Sequence, residues 1–197
     1  MKNKQADLVK QLRDEELYRA LLMTQVLLLL IATVLGFFIF DDIKEFFSLF
    51  NFYDLSIILI GIPAGLIVVT YDLISMKYLP QSFFDDGGIN KRIFSSLNRR
   101  QIVLVVMIVA VVEELLFRGV IQTYVGLGMA SFIFALIHIR YLYNIYLFLN
   151  ILLLSFFIGI IYEWTGNLFV TIVMHFTIDL ILGFIINKQS GKSKCIL

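Results

Sequence analysis

The chain has one cysteine, two prolines and two histidines among 197 residues, and its charges nearly cancel at a net +1. A single thiol, Cys195, excludes an internal disulfide and any site built from several thiolates. Nor does Cys195 form a C-terminal prenylation signal. That signal needs cysteine fourth from the end, a place held here by Lys194. The missing basic excess removes the usual basis for nucleic-acid binding. Charge of either sign is scarce at 16%, whereas 60% of the residues are hydrophobic. A soluble domain is nearer half apolar and breaks its apolar runs sooner. What remains is an all-α integral membrane protein, a polytopic helix bundle with the lipid bilayer as its surroundings.

Hydropathy outlines about six spans, at about 18–40, 55–79, 101–122, 124–141, 143–162 and 167–186. The first run has no A-x-A-like cleavage site and reads as a retained span. The fourth is diluted by Gly126, Gly128 and Ser131, and reads as short, tilted or partly re-entrant. Basic residues collect on alternate loops. Lys2, Lys4, Lys10, Arg13 and Arg19 precede span one, Lys91, Arg92, Arg99 and Arg100 follow span two, Arg140 follows span four, and Lys188, Lys192 and Lys194 follow span six. The positive-inside rule then places both termini in the cytoplasm. The expected organisation is a cytoplasmic segment at 1–17, two accessory spans and a loop at 18–99, a core of four helices at 100–186 and a tail at 187–197.

Local patterns add detail. Residues 5–19 read as a helix near the headgroups, with Glu15 and Arg19 at favourable i,i+4 spacing. Gly61 and Gly65 form a GxxxG pair suited to close helix packing, and Pro63 between them suggests a kink. The loop PQSFFDDGGINKRIFSSLNRR carries turn signals at Asp85-Asp86-Gly87-Gly88.

Three charges stand out in VVEELLFRGVIQ, where lipid is expected. A charge at mid-bilayer costs roughly 2.5–3.5 kcal/mol, so three unpaired would cost about 8–10. Glu114 and Arg118, at i,i+4, can neutralise one another as a structural ion pair. Glu113 is left over. Both histidines, His138 and His175, lie in or at the end of spans, and Asp179 follows His175 by one turn. Asp72 in span two sits near a membrane surface. Glu, His and Asp from three helices are the residue types that activate a water and stabilise an oxyanion. They equally suit a proton-coupled transporter component, and a non-catalytic membrane immunity or binding protein would also retain them. His175, Asp179, His138 and Glu113 could ligate zinc, although no HExxH helix is present and no cofactor is required.

The motifs EELLFR, FALIH and HFTID, ordered on successive helices, resemble the EExxxR, FxxxH and HxxxN/D motifs of the CAAX-protease and bacteriocin-processing (Abi) family. The likeness covers about residues 100–185 and includes Thr165-Gly166 followed by Leu168. It implies an intramembrane endopeptidase acting on a peptide or membrane-protein substrate, in a bacterial plasma membrane. Glu113 would activate the attacking water, assisted by His138. Glu114 and Arg118 would be structural, and His175 with Asp179 would orient the site or stabilise the oxyanion. Zinc dependence stays open in this resemblance. Where the prenyl-protein enzymes have asparagine, this chain has Asp179, which if ionised accepts and cannot donate. The small size is similar to that of bacterial members linked to bacteriocin maturation or self-immunity rather than to prenylated substrates.

Overall fold

A computed structural model describes residues 11–194; Cys195 and residues 1–10 lie outside them. Helices account for the regular structure, and no strand occurs among the described residues. Helix α1 is Asp14–Ile39, α2 is the short Ile43–Ser48, and α3 starts as a π turn at Ile57–Gly61 and continues as Ile62–Tyr78. A 3₁₀ turn at Gln81–Phe84 precedes α4, Ile89–Ser96. Helix α5, Arg99–Glu114, runs without a break into a π segment, Leu115–Gln122. Then come α6 (Thr123–Ile137), a 3₁₀ turn at Ile139–Tyr143, α7 (Ile145–Thr165) and α8 (Leu168–Lys194).

Among the described residues, four helices are long and apolar enough to cross a membrane: α1, α3, α7 and α8. The stretches expected as spans three and four are different. Helix α5 and its π extension carry Glu113, Glu114 and Arg118 in their buried part. Helix α6 contains a non-helical residue, Gly126 at φ 81° and ψ 168°. Its 15 residues would rise only about 22 Å even if straight, less than the ~30 Å hydrocarbon core. Gly126, at positive φ, makes the break in the stretch that hydropathy registered as dilution.

Helix ends follow their side chains. Asn98 caps α5 by accepting from Gln101 N–H at 3.0 Å, and Gln101 returns the bond to Asn98 N–H at 2.9 Å. Asn144 caps α7, and Gly166 ends it in the left-handed conformation at φ 60°. In the N-terminal stretch, whose first ten residues lie outside the described ones, Leu12 and Arg13 are non-helical and α1 starts at Asp14. Its first turn is held by Arg13 with Glu16 (3.0 Å) and by Arg92 reaching Asp14 (2.7 Å), rather than by Glu15 with Arg19. Helix α4 puts Ile89, Ile93 and Leu97 against Leu17 of α1 and Leu180 and Phe184 of α8. Those side chains recur every four residues, which a turn-rich loop reading conceals. Asn187 Nδ2 donates to Phe94 O and Leu97 O, closing the end of α4.

Helix α8 is central and packs on α3, α4, α5 and α7. A Cβ at Gly61 would fall 2.8 Å from Val170 O, and one at Gly65 the same distance from Met174 O. The GxxxG pair therefore lets α3 approach the α8 backbone at Val170 and Met174, about one turn apart and just before His175.

Candidate active site

A continuous line of polar contacts crosses the interior. Glu114 Oε2 accepts from Arg118 Nε at 3.3 Å, and both side chains are fully buried. Arg118 Nη2 donates to Ser155 Oγ of α7 at 3.1 Å, and the guanidinium stands 5.3 Å from the centre of the Phe134 ring. The other Glu114 oxygen lies 2.9 Å from His175 Nδ1. His175 Nε2 lies 3.5 Å from Asp179 Oδ2. Ser155, Arg118, Glu114, His175 and Asp179 thus form one chain through three helices. An imidazolium facing a carboxylate at each nitrogen satisfies both as donor.

The π segment begins at the residue after Glu114. Such segments are rare and concentrate at functional sites. Here it carries Arg118 and Gln122 inward and seats them against α7. Gln122 Nε2 donates to Gly159 O at 3.0 Å, an approach for which Gly159 leaves room, since a Cβ there would lie 2.8 Å from Gln122 Oε1.

Glu113 is buried, yet among the described residues no hydrogen bond joins it to either histidine. It stands within electrostatic range of His175, Asp179 and Glu114. His138 terminates α6, and its Nδ1 is 2.7 Å from Phe134 O. That contact assigns the proton to Nδ1 and leaves Nε2 as an acceptor. Its ring stacks on Tyr141 at 5.7 Å and within 17° of parallel. His138 is in electrostatic range of His175 and Asp179. Asp72 accepts from Asn150 Nδ2 at 3.3 Å and lines a groove of about 380 Å³ between α3 and α7.

Two features escape sequence reasoning. Glu114 bridges Arg118 to His175 and so does more than neutralise one partner. Ser155 and Gln25 are the buried polar residues of α7 and α1, and no local spacing rule selects them. As for metal, no group of three His, Cys, Asp or Glu side chains among the described residues is placed to hold an ion. Both His175 nitrogens already face carboxylates, so this donor set does not fit a zinc site.

A family model described as type II CAAX prenyl endopeptidase Rce1-like matches residues 96–181. The uncharacterized protein YpbD of Bacillus subtilis (strain 168) is 44% identical over 161 residues, which is 82% of this chain and 85% of YpbD. No solved structure matches the chain. The buried Glu-Arg-His network thus sits in a stretch shared with membrane proteases. The chain belongs to the Rce1-like type II CAAX prenyl endopeptidase family and is an integral membrane protein.

Proposed function

We propose that this protein is an intramembrane endopeptidase that hydrolyses peptide or membrane-protein substrates with a water activated by Glu113. The Glu113 carboxylate takes a proton from water as its oxygen attacks the peptide carbonyl. The tetrahedral oxyanion collapses, the C–N bond breaks, and the proton passes to the leaving amine. His138 Nε2, with no proton of its own, accepts from the same water. His175 Nε2–H serves as the donor to the oxyanion, since its 3.5 Å contact to Asp179 is long enough to be shared. Glu114 and Arg118 keep His175 in place. Both termini are assigned to the cytoplasm and the bundle to six membrane-embedded helical stretches, with 100–186 as the catalytic core.

The observation that carries this reading is the grip on His175, whose imidazole is fixed by a carboxylate on each side, next in the network to the helix turn that carries Glu113. A structural ion pair alone would not need His175 in the network. The substrates to examine first are short peptides, including bacteriocin-like ones, since the 44% identical relative is bacterial. No step is routed through a metal.

The test compares membrane peptides by mass spectrometry from cells making wild-type or Glu113→Gln protein at equal abundance. Products present only with the wild type are expected. Identical peptide profiles overturn the catalytic reading.

A further inference from the structure

Asp72 is a half-buried carboxylate on the apolar helix α3, and the catalytic reading does not use it. An acid in a span normally has a partner of opposite charge. Here the polar partner is Asn150 of α7, whose Nδ2 donates to Asp72 Oδ1 at 3.3 Å. Among the described residues no lysine or arginine pairs with it. Lys77, on the same helix, stands 5.4 Å from the centre of the Tyr78 ring instead. An amide that donates to a carboxylate keeps its own oxygen free. Asp72 Oδ2 and Asn150 Oδ1 are therefore acceptors without a donor among the described residues. Both residues line one end of the groove of about 380 Å³ between α3 and α7. From Asn150 to Phe157 it follows about 10 Å of α7. Away from Asp72 and Asn150 its walls are apolar. Val68, Leu154 and Phe157 back it onto the core around Met174 and Ile178, which flank His175 in the sequence. Ile67 and Leu153 line it too and are exposed on the apolar surface.

We propose that this groove docks a membrane peptide, with a Lys or Arg of the peptide at Asp72 and Asn150 and an apolar side chain further along, toward Phe157. That the peptide is a substrate rests on the endopeptidase reading; the docking itself does not. The complement of two bare acceptor oxygens beside a carboxylate is a positively charged donor. A metal ion does not suit them, because hard divalent cations take about six or more oxygens. An aminophospholipid would bring its phosphate beside its ammonium, and no described cation stands at Asp72 to receive a phosphate. A Lys or Arg side chain brings the charge alone, on an apolar stem that matches the walls. A groove about 10 Å long spans about two turns of a helical peptide. The recognised pattern is thus an apolar residue and a basic one separated by one to two turns. These contacts lie away from the reacting groups and are equal in ground and transition states, so they lower KM and leave kcat unchanged.

The probes are synthetic helical peptides of leucine and alanine that carry a lysine and, about two turns away, a photoactivatable diazirine analogue of leucine. They are irradiated with full-length wild-type or Asp72→Asn protein in phosphatidylcholine nanodiscs, and the adducts are located by mass spectrometry. Asp72→Asn keeps an oxygen for Asn150 to donate to, so it is expected to unfold at the wild-type temperature. Adducts on groove residues of α3 and α7 are expected with the wild type. They should fall about 10- to 100-fold in Asp72→Asn, and equally when glutamine replaces the lysine of the peptide, as loss of a hydrogen bond to a charged group requires. Equal labelling of the two proteins, or by the two peptides, overturns the proposal. Groove labelling that vanishes when phosphatidylethanolamine is added assigns the groove to lipid and overturns it as well. In cells, the Glu113-dependent membrane peptides that derive from Lys- or Arg-bearing segments should fall in Asp72→Asn, and those from neutral segments should persist. A uniform change, or none, overturns the part played in substrate choice. If no peptide depends on Glu113, the endopeptidase reading falls, and the crosslinks decide the docking by themselves.

Discussion

Two polar knots hold this bundle, and they are built from different chemistry. One lies inside, where Glu114 joins Arg118, Ser155 and His175 with no exposed charge along the line. The other ties the loop after α2 to the turn between α7 and α8. Asn167 accepts from Asn51 N–H at 3.2 Å and donates to Asn51 O at 2.9 Å and Asp54 Oδ2 at 3.1 Å. Leu168 N–H adds a bond to Leu49 O at 2.8 Å. The second knot joins helices with neutral amides and a single carboxylate at the rim. Had the inner one only to join helices, amides would suffice there too. Its full charges, expensive to bury, point to a demand beyond cohesion.

The comparison breaks first at Glu113. Glu113→Gln is close to isosteric and should leave unfolding nearly unchanged while lowering product formation by about 10²–10⁴-fold, the usual contribution of a positioned general base. Equal activity would reduce the inner knot to a scaffold. Arg118→Met tests the same knot through stability. It leaves Glu114 buried with His175 alone, and should cost about 3–5 kcal/mol in unfolding free energy. A double variant, Glu114→Leu with Arg118→Met, should recover part of that loss, because the stranded charge is gone. A double variant as unstable as the sum of two singles would show the pair to be uncoupled.

How far the sequence reaches depends on whether a residue's partner is local. The Glu114–Arg118 pair was legible because i,i+4 spacing brings the two together within one helix. GxxxG at 61–65 was legible because small residues declare close packing. The grip of Glu114 on His175 was not, since it spans 61 positions and depends on how α5 meets α8. Ser155 is silent for the same reason. The pair Glu15–Arg19 had good spacing and was displaced by a capping box at Arg13 and by Arg92 from α4. The short α4 hid among turn residues because only its apolar face, Ile89, Ile93 and Leu97, marks it as a helix. The π segment has no composition of its own and becomes visible only in the backbone.

Smaller effects belong to the outer knot. Asn167→Ala removes four side-chain bonds, the fourth from Phe169 N–H, at a residue that is 2% exposed, and should cost about 1–3 kcal/mol while activity per folded molecule is retained. Loss of turnover at full folding would join the two knots functionally.

The slightest expected change is the pH response of Asp54, in the loop between α2 and α3. The Ser56 side chain and N–H, followed by the Asn167 amide, hold the Asp54 carboxyl below its ordinary value. The folded state therefore binds this proton less readily than the unfolded chain. The resulting stabilisation is complete above the ordinary carboxylate value and is lost as pH falls through that value to the depressed one. Asp54→Asn abolishes the titration, so its unfolding midpoint should be flatter than the wild type's on the acid side and should converge with it at the lowest pH. Asp54 is half-buried at the rim, and solvent screening keeps the difference small. Parallel curves for the two proteins across that window would show that Asp54 adds nothing pH-dependent. The outer knot would then rest on its amides alone.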